Sequence, residues 1–261
     1  MCFSASMSLG MGVIGLAAAA VTYNDKTETH WVRLARAYAI FHFSLMEFIQ
    51  YFAYPVADQC GYGTNLLLSE LSAVHISLQA FAIMPALATF SADPKALVKA
   101  FRLGAGMSSL FLILTRLPNQ WQLIDIFEPQ FIGRLQSCLF MGKYHIGYHI
   151  SSAYSTLVTH GSLFALALSG FLWKDNWRIG SYHFVTAILT LYIPQWLFGV
   201  SVGEAAAIYC FYSIVITGSF MPQFKGIFTS KLRPREIPEY EGYRLNSLSF
   251  VTERLNKINR R

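Results

Sequence analysis

Five side chains of the kinds that bind metals or move protons fall inside long apolar runs of this 261-residue chain. Glu47 and Gln50 lie within 37–56, His75 and Gln79 within 66–90, and His160 within 152–173. Carboxylate and imidazole are apt ligands for zinc, iron or manganese, and the same groups can relay a proton. An ionisable group in hydrocarbon is costly, roughly 2.5–3.5 kcal/mol on insertion scales, so such groups turn inward and find partners. Glu47 and His75 are therefore the catalytic candidates, and Glu47, His75 and His160 the candidate metal ligands. The alternative is a hydrogen-bonded network that only glues helices together, at about 0.6 kcal/mol per pair.

Spacing supports a shared site. Ser44, Glu47, Tyr51, Tyr54 and Asp58 recur at three- and four-residue intervals, which places them on one helical face with Gln50 at its border. Ser72, His75 and Gln79 do the same in the next run, and Ser152, Thr156, Thr159 and His160 in a later one. Three polar faces at similar depth are expected to turn towards one another.

Three further features carry chemistry. His145 and His149 in HIGYH are four residues apart, which on a helix brings both imidazoles within reach of one metal; Gly147 between them argues for a polar interfacial turn instead. Removal of Met1 would leave Cys2 with a free amine and thiol, a potential chelator or nucleophile, against a plain cap on the first helix. Cys60 and Cys138 fall on one side of the expected topology and are a candidate disulfide if that compartment is oxidising. His30, His42 and His183 have no evident partner.

The elements that must position these residues are apolar. The chain is 54% hydrophobic and 13% charged, against about 25% charged in ordinary soluble domains. The expectation is an all-α integral membrane bundle of seven transmembrane helices, near 7–23, 37–56, 66–90, 103–117, 152–173, 182–200 and 205–220. Residues 1–222 then form the transmembrane domain, with 118–151 as an outer loop or lid carrying a short interfacial helix around 129–140. Residues 223–261 form a basic tail.

Alternate loops carry Lys26, Arg33 and Arg36, then Lys95, Lys99 and Arg102, then Lys174 and Arg178, whereas 57–65 and 200–204 carry no Lys or Arg. Basic loops stay inside, so the N-terminus is expected outside and the C-terminus in the cytoplasm. The net charge of +6 belongs to these loops and the tail, which speaks against nucleic acid. No basic n-region precedes the first apolar run, so a cleaved signal peptide is not expected. HExxH, GxSxG and glycine-rich phosphate loops are absent, and no Lys in the last two runs could carry retinal.

The opening MCFSASMSLGMGVIGL resembles a family of polytopic membrane proteins that begin Met-Cys-Phe-Ser-Ala and carry a Gln-Gln-Leu-Ile-Glu-like element in the second span. The corresponding stretch here is FSLMEFIQY, with Glu47 on the family's acid and Phe43 and Ser44 in place of its glutamines. The resemblance implies no activity, but it adds weight to Cys2 and Glu47. A looser similarity is to seven-span alkaline-ceramidase-like hydrolases, which also run N-out and hold zinc with histidines, an acid and a serine. Their paired histidines sit on the last span, whereas no His follows His183 here.

Together these readings point first to a metal-dependent membrane enzyme, hydrolase-like, on a lipid or small amphipathic substrate, with zinc or iron activating a water. The alternative is a non-enzymatic carrier or sensor of a proton or ion, or a haem protein with His75 and His160 as axial ligands. A third class is a structural subunit of a membrane complex or a homo-oligomer. Each has the lipid bilayer as its partner.

Overall fold

A computed structural model of the chain describes residues 4–61, 63–91, 93, 95–116, 137–150, 177–201, 204 and 218–221. All of them belong to one compact unit, Met1–Phe228. The run 152–173 with His160, most of 205–220, Cys2 and the first part of the outer loop lie outside the described residues.

Five helices account for most of the described chain: α1 (Ala5–Asn24), α2 (His30–Ala53), α3 (Gly63–Ala88), α4 (Ala96–Arg116) and α5 (Trp177–Phe198). Each overlaps an apolar run of the sequence. Three of them, α1, α3 and α4, are long and apolar enough to cross a membrane. α2 has 24 residues, about 36 Å of helix at 1.5 Å per residue, but its polar residues keep it out of that group.

Local chemistry sets the ends. Ser4 caps α1, its Oγ accepting the Met7 N–H at 3.3 Å. Asp93 precedes α4 and accepts the Lys95 N–H at 2.9 Å while pairing with Lys99 at 3.1 Å. That backbone N–H, and then the Lys99 ammonium, hold its carboxyl below the ordinary aspartate value. Gly199 ends α5 in a left-handed conformation, φ 61°, which glycine adopts without strain. Between α2 and α3 the chain turns through a short 3-10 segment, Tyr54–Val56, and only a few further residues. So short a link makes the two helices antiparallel neighbours.

Small residues allow close packing. The Phe48 ring of α2 covers Gly12 of α1, and Gly15 sits against Ser44. On the other side, Gly104 of α4 lies against the Ala80 carbonyl of α3, and Ser108 Oγ accepts the Phe81 N–H at 3.0 Å. The core between these helices is built from Ala39, Ile40, Ala80, Ile83 and Leu87, all fully buried.

Two strands correct the all-α expectation to a mostly helical one. β1 (Cys138–Met141) and β2 (Ile146–His149) pair antiparallel, with Cys138 opposite His149 and Phe140 opposite Gly147. The interfacial helix expected around 129–140 is therefore a strand from Cys138 on. The reason is tertiary. The buried Asn65 side chain of α3 gives its Nδ2 to the Leu139 carbonyl at 2.8 Å and accepts the Leu139 N–H at 3.1 Å. An amide thus serves β1 as a neighbouring strand would. Asp58 adds two bonds, its N–H to the same carbonyl and its Oδ1 to the Met141 N–H, both at 3.0 Å.

The packing at Gly104 makes a direct test. A Cβ there would stand 2.8 Å from the Ala80 carbonyl oxygen and 3.1 Å from the Phe81 Cα, both backbone atoms. Gly104→Ala should therefore destabilise the protein by about 1–3 kcal/mol. Gly106, with nothing within 4 Å, should tolerate alanine or gain up to about 1 kcal/mol from helix propensity. Melting of the two variants in detergent checks both.

Candidate functional site

The polar groups of α2 divide between two neighbours. Ser44 packs on Gly15, and Gln50 accepts a hydrogen bond from Ser8 Oγ at 3.5 Å, so this side of α2 meets α1 rather than α3. Glu47 lies buried in the same stretch, 1% exposed. The side that meets α3 carries His42. Its ring stacks on that of His75, with centroids 3.9 Å apart and planes within 7° of parallel. Counted outward from the turn at residues 58–59, positions 42 and 75 are equally distant, so an antiparallel pair brings them level. The same register leaves Glu47 about five residues, some 7.5 Å of helix rise, nearer the turn.

The stack is closed to solvent. His42 Nε2 and His75 Nε2 are buried, and neither has a hydrogen-bond partner among the described residues. The same holds for Gln79 Oε1, one helical turn beyond His75. Tyr38 and Phe43 flank the His42 ring with centroids 6.2 and 5.7 Å from it, and Phe81 meets Tyr38 edge to face at 6.0 Å.

The geometry limits the chemistry. Two imidazolium charges at this separation would repel by about 4 kcal/mol at an effective dielectric of 20, so the pair carries at most one positive charge. Nor can both rings chelate one ion. An ion about 2.0 Å from each nitrogen would have to stand far out of both ring planes, whereas imidazole lone pairs lie in the plane. Among the described residues no group of three or more His, Cys, Asp or Glu side chains is placed to hold a metal ion. Glu47 and His75 lie on adjacent helices, and His160 is outside the described residues.

The second cluster is also rearranged. β2 is extended, and four residues of strand span about 13 Å, so His145 and His149 are too far apart to share one ion. Both are buried, and Nδ1–H of His145 donates to the Ile146 carbonyl at 2.7 Å. Gly147 between them is required by the Phe140 ring, which occupies the space a side chain would need. Cys60 and Cys138 are joined by a disulfide, Cα–Cα 5.2 Å, which ties β1 to the α2–α3 turn.

Three residues that organise these sites carry no obvious sequence signal of their own. His42 was legible only through its distance from the turn. Asn65 reads as an ordinary loop amide. Glu204 is 2% exposed, and its carboxylate accepts the N–H groups of Lys143, Tyr144 and His145 at 3.0, 2.6 and 2.9 Å. Nothing in the local sequence connects position 204 with the hairpin.

Residues 6–228 match a family of unknown function, DUF5765, and the chain belongs to that family. No curated protein and no solved structure matches it significantly, the ceramidase-like hydrolases included.

Two stability tests follow from this geometry. The disulfide closes a loop of 78 residues, for which chain entropy gives about 4.5 kcal/mol; Cys60→Ser should lower denaturant stability by an amount of that order, and reductant should have the same effect on wild type. In a double-mutant cycle, His42→Ala and His75→Ala should couple by about 0.5–1.5 kcal/mol, the range for stacked rings. Additive losses would show that the rings do not touch.

Proposed function

We propose that this member of the family is a multi-pass integral membrane protein of seven spans, N-terminus outside and C-terminus cytoplasmic, working through the polar seam of α2 and α3. Three membrane-length helices support the first part. The orientation is supported by the basic loops and independently by the Cys60–Cys138 disulfide. That bridge lies on the side of the uncharged loop 57–65, where an oxidising compartment would preserve it.

The activity supported best is that of a proton- or ion-coupled carrier or sensor. The observation that carries it is the buried His42–His75 stack between α2 and α3, with a second ionisable group, Glu47, buried elsewhere on α2. Such a seam costs stability, because each buried polar atom left without a partner is worth about 1–3 kcal/mol of lost hydration, and that cost favours a functional role over packing. A proton carried by one of the two rings can be taken up on one side and released on the other when α2 and α3 part.

A metal-dependent enzyme acting on a lipid or small amphipathic molecule is the second reading. It rests on Glu47 and His75, both buried on adjacent helices, with His160 as the further ligand for zinc or iron. The same His75 and His160 would be the axial pair of a haem.

Infrared difference spectra of the protein in liposomes, recorded across a pH step, separate these readings from a packing role. Wild type should show imidazole and carboxyl bands that are lost in His75→Gln and Glu47→Gln respectively, in protein that remains helical. A spectrum without such bands in wild type would contradict the proton reading. Elemental analysis of the same preparations tests the second reading: stoichiometric zinc or iron, absent in His75→Ala, would favour it.

A further inference from the structure

The tip of the β1–β2 hairpin is exposed, yet its backbone N–H groups are bonded within the protein. Gly142 N–H donates to the His145 carbonyl at 2.8 Å, and the next three N–H groups all go to Glu204. Four consecutive donors are thus satisfied internally. Gly142 itself is required, since a Cβ would meet the Glu204 carboxylate at 2.5 Å. Lys143 apart, the exposed side chains around this tip are apolar or aromatic. Met141 and Tyr144 are 47% and 44% exposed, and beside them the end of α5 presents Trp196 at 84%, with Leu197 and Phe198 more than half exposed.

The two segments form one surface. The Tyr144 and Phe198 rings meet edge to face with centroids 6.0 Å apart. Lys143 Nζ donates to the Phe198 carbonyl at 3.2 Å and stands 5.1 Å from the Tyr144 ring centre. It covers a carbonyl that the end of α5 would otherwise leave open, and it keeps further N–H donors for another acceptor.

We propose that this surface, hairpin tip plus the end of α5, is seated in the headgroup region of the bilayer and anchors the outer segment there, rather than standing in water as a lid. The proposal rests on the membrane reading above. With its N–H donors already bonded, the tip loses no donor hydration on entering the headgroup layer, where its carbonyls still meet water. Aromatic rings with a lysine among them are the composition that settles at the boundary between headgroups and acyl chains. Lys143 is placed to meet lipid phosphate there while its stem and the rings face the acyl chains. The surface is continuous with α5, whose outer end it shares, so it lies where a spanning helix would leave the membrane.

The test uses the full chain in phosphatidylcholine vesicles, with Trp31, Trp121, Trp173, Trp177 and Trp196 each replaced by Phe and one reporter introduced, either Tyr144→Trp or Ile113→Trp. Ile113 is on the exposed side of α4. Lipids carrying nitroxide near the headgroup or deep in the acyl chain, and aqueous iodide, are the quenchers. The hairpin reporter should be quenched most by the shallow label and be severalfold less sensitive to iodide than free tryptophan, while the α4 reporter should respond to the lipid labels alone. A hairpin reporter quenched by iodide and insensitive to lipid, with the α4 reporter still lipid-quenched, would make the tip a water-facing lid and overturn the proposal. Protection from iodide and lipid alike would indicate a protein partner and overturn it equally. Loss of lipid quenching at both positions would remove the membrane reading itself. In the chain with its native tryptophans, Trp196→Phe should abolish a shallow-quenched fraction; an unchanged profile would count against the proposal.

Discussion

The antiparallel register of α2 and α3 is the constraint on which the rest of the structure depends. A short turn decides which residues of the two helices stand level, and it sets His42 against His75. That register is secured at both ends. At the turn, the Cys60–Cys138 disulfide, Asn65 and Asp58 hold β1 against the helix ends. At the far end, Arg36 of α2 donates to Thr89 Oγ1 at 2.8 Å, pairs with Glu28 at 3.3 Å and lies over the Phe90 ring. A slip of one residue between α2 and α3 would break the Arg36–Thr89 bond and pull the two imidazoles out of register.

The imidazole stack is where stability and use pull in opposite directions. Aromatic stacking returns about 0.5–1.5 kcal/mol, which does not offset several buried polar atoms that lack partners. Alanine or leucine at 42 and 75 would pack a quieter seam. The same trade does not apply at the hairpin, where Glu204 is fully used by three N–H groups and Asn65 by the Leu139 backbone. Those two polar groups at the hairpin are satisfied, whereas ring and amide atoms of His42, His75 and Gln79 find no partner among the described residues.

Much of the helical framework was legible in the sequence, because apolar runs of membrane length with charged breaks leave few other solutions. The faces were less so. Of the polar stripe read at three- and four-residue spacing, Ser44, Glu47 and the bordering Gln50 are buried on α2, whereas Asp58 lies exposed beyond it; a helix packed on two neighbours has two buried sides. Ser44 and Gln50 went to α1, and His42, five residues before Glu47 and so on a different side, went to α3. The hairpin was illegible for another reason. Its strands are held by Asn65, Asp58 and Glu204, none of them near 138–149 in the chain, and four-residue strands carry too little periodicity to announce themselves. HIGYH shows the consequence: the spacing that would make a chelating pair on a helix sets His145 just before β2 and His149 at its far end.

The most direct test of this account is magnetic resonance of the protein with nitrogen-labelled histidine in lipid nanodiscs, wild type beside His42→Ala. If the two rings are stacked within the membrane, removing His42 shifts the ring nitrogen resonances of His75 and changes how it takes up a proton. If the resonances and titration of His75 are the same in both proteins, the rings are not in contact and the seam described here is not the working part of the molecule.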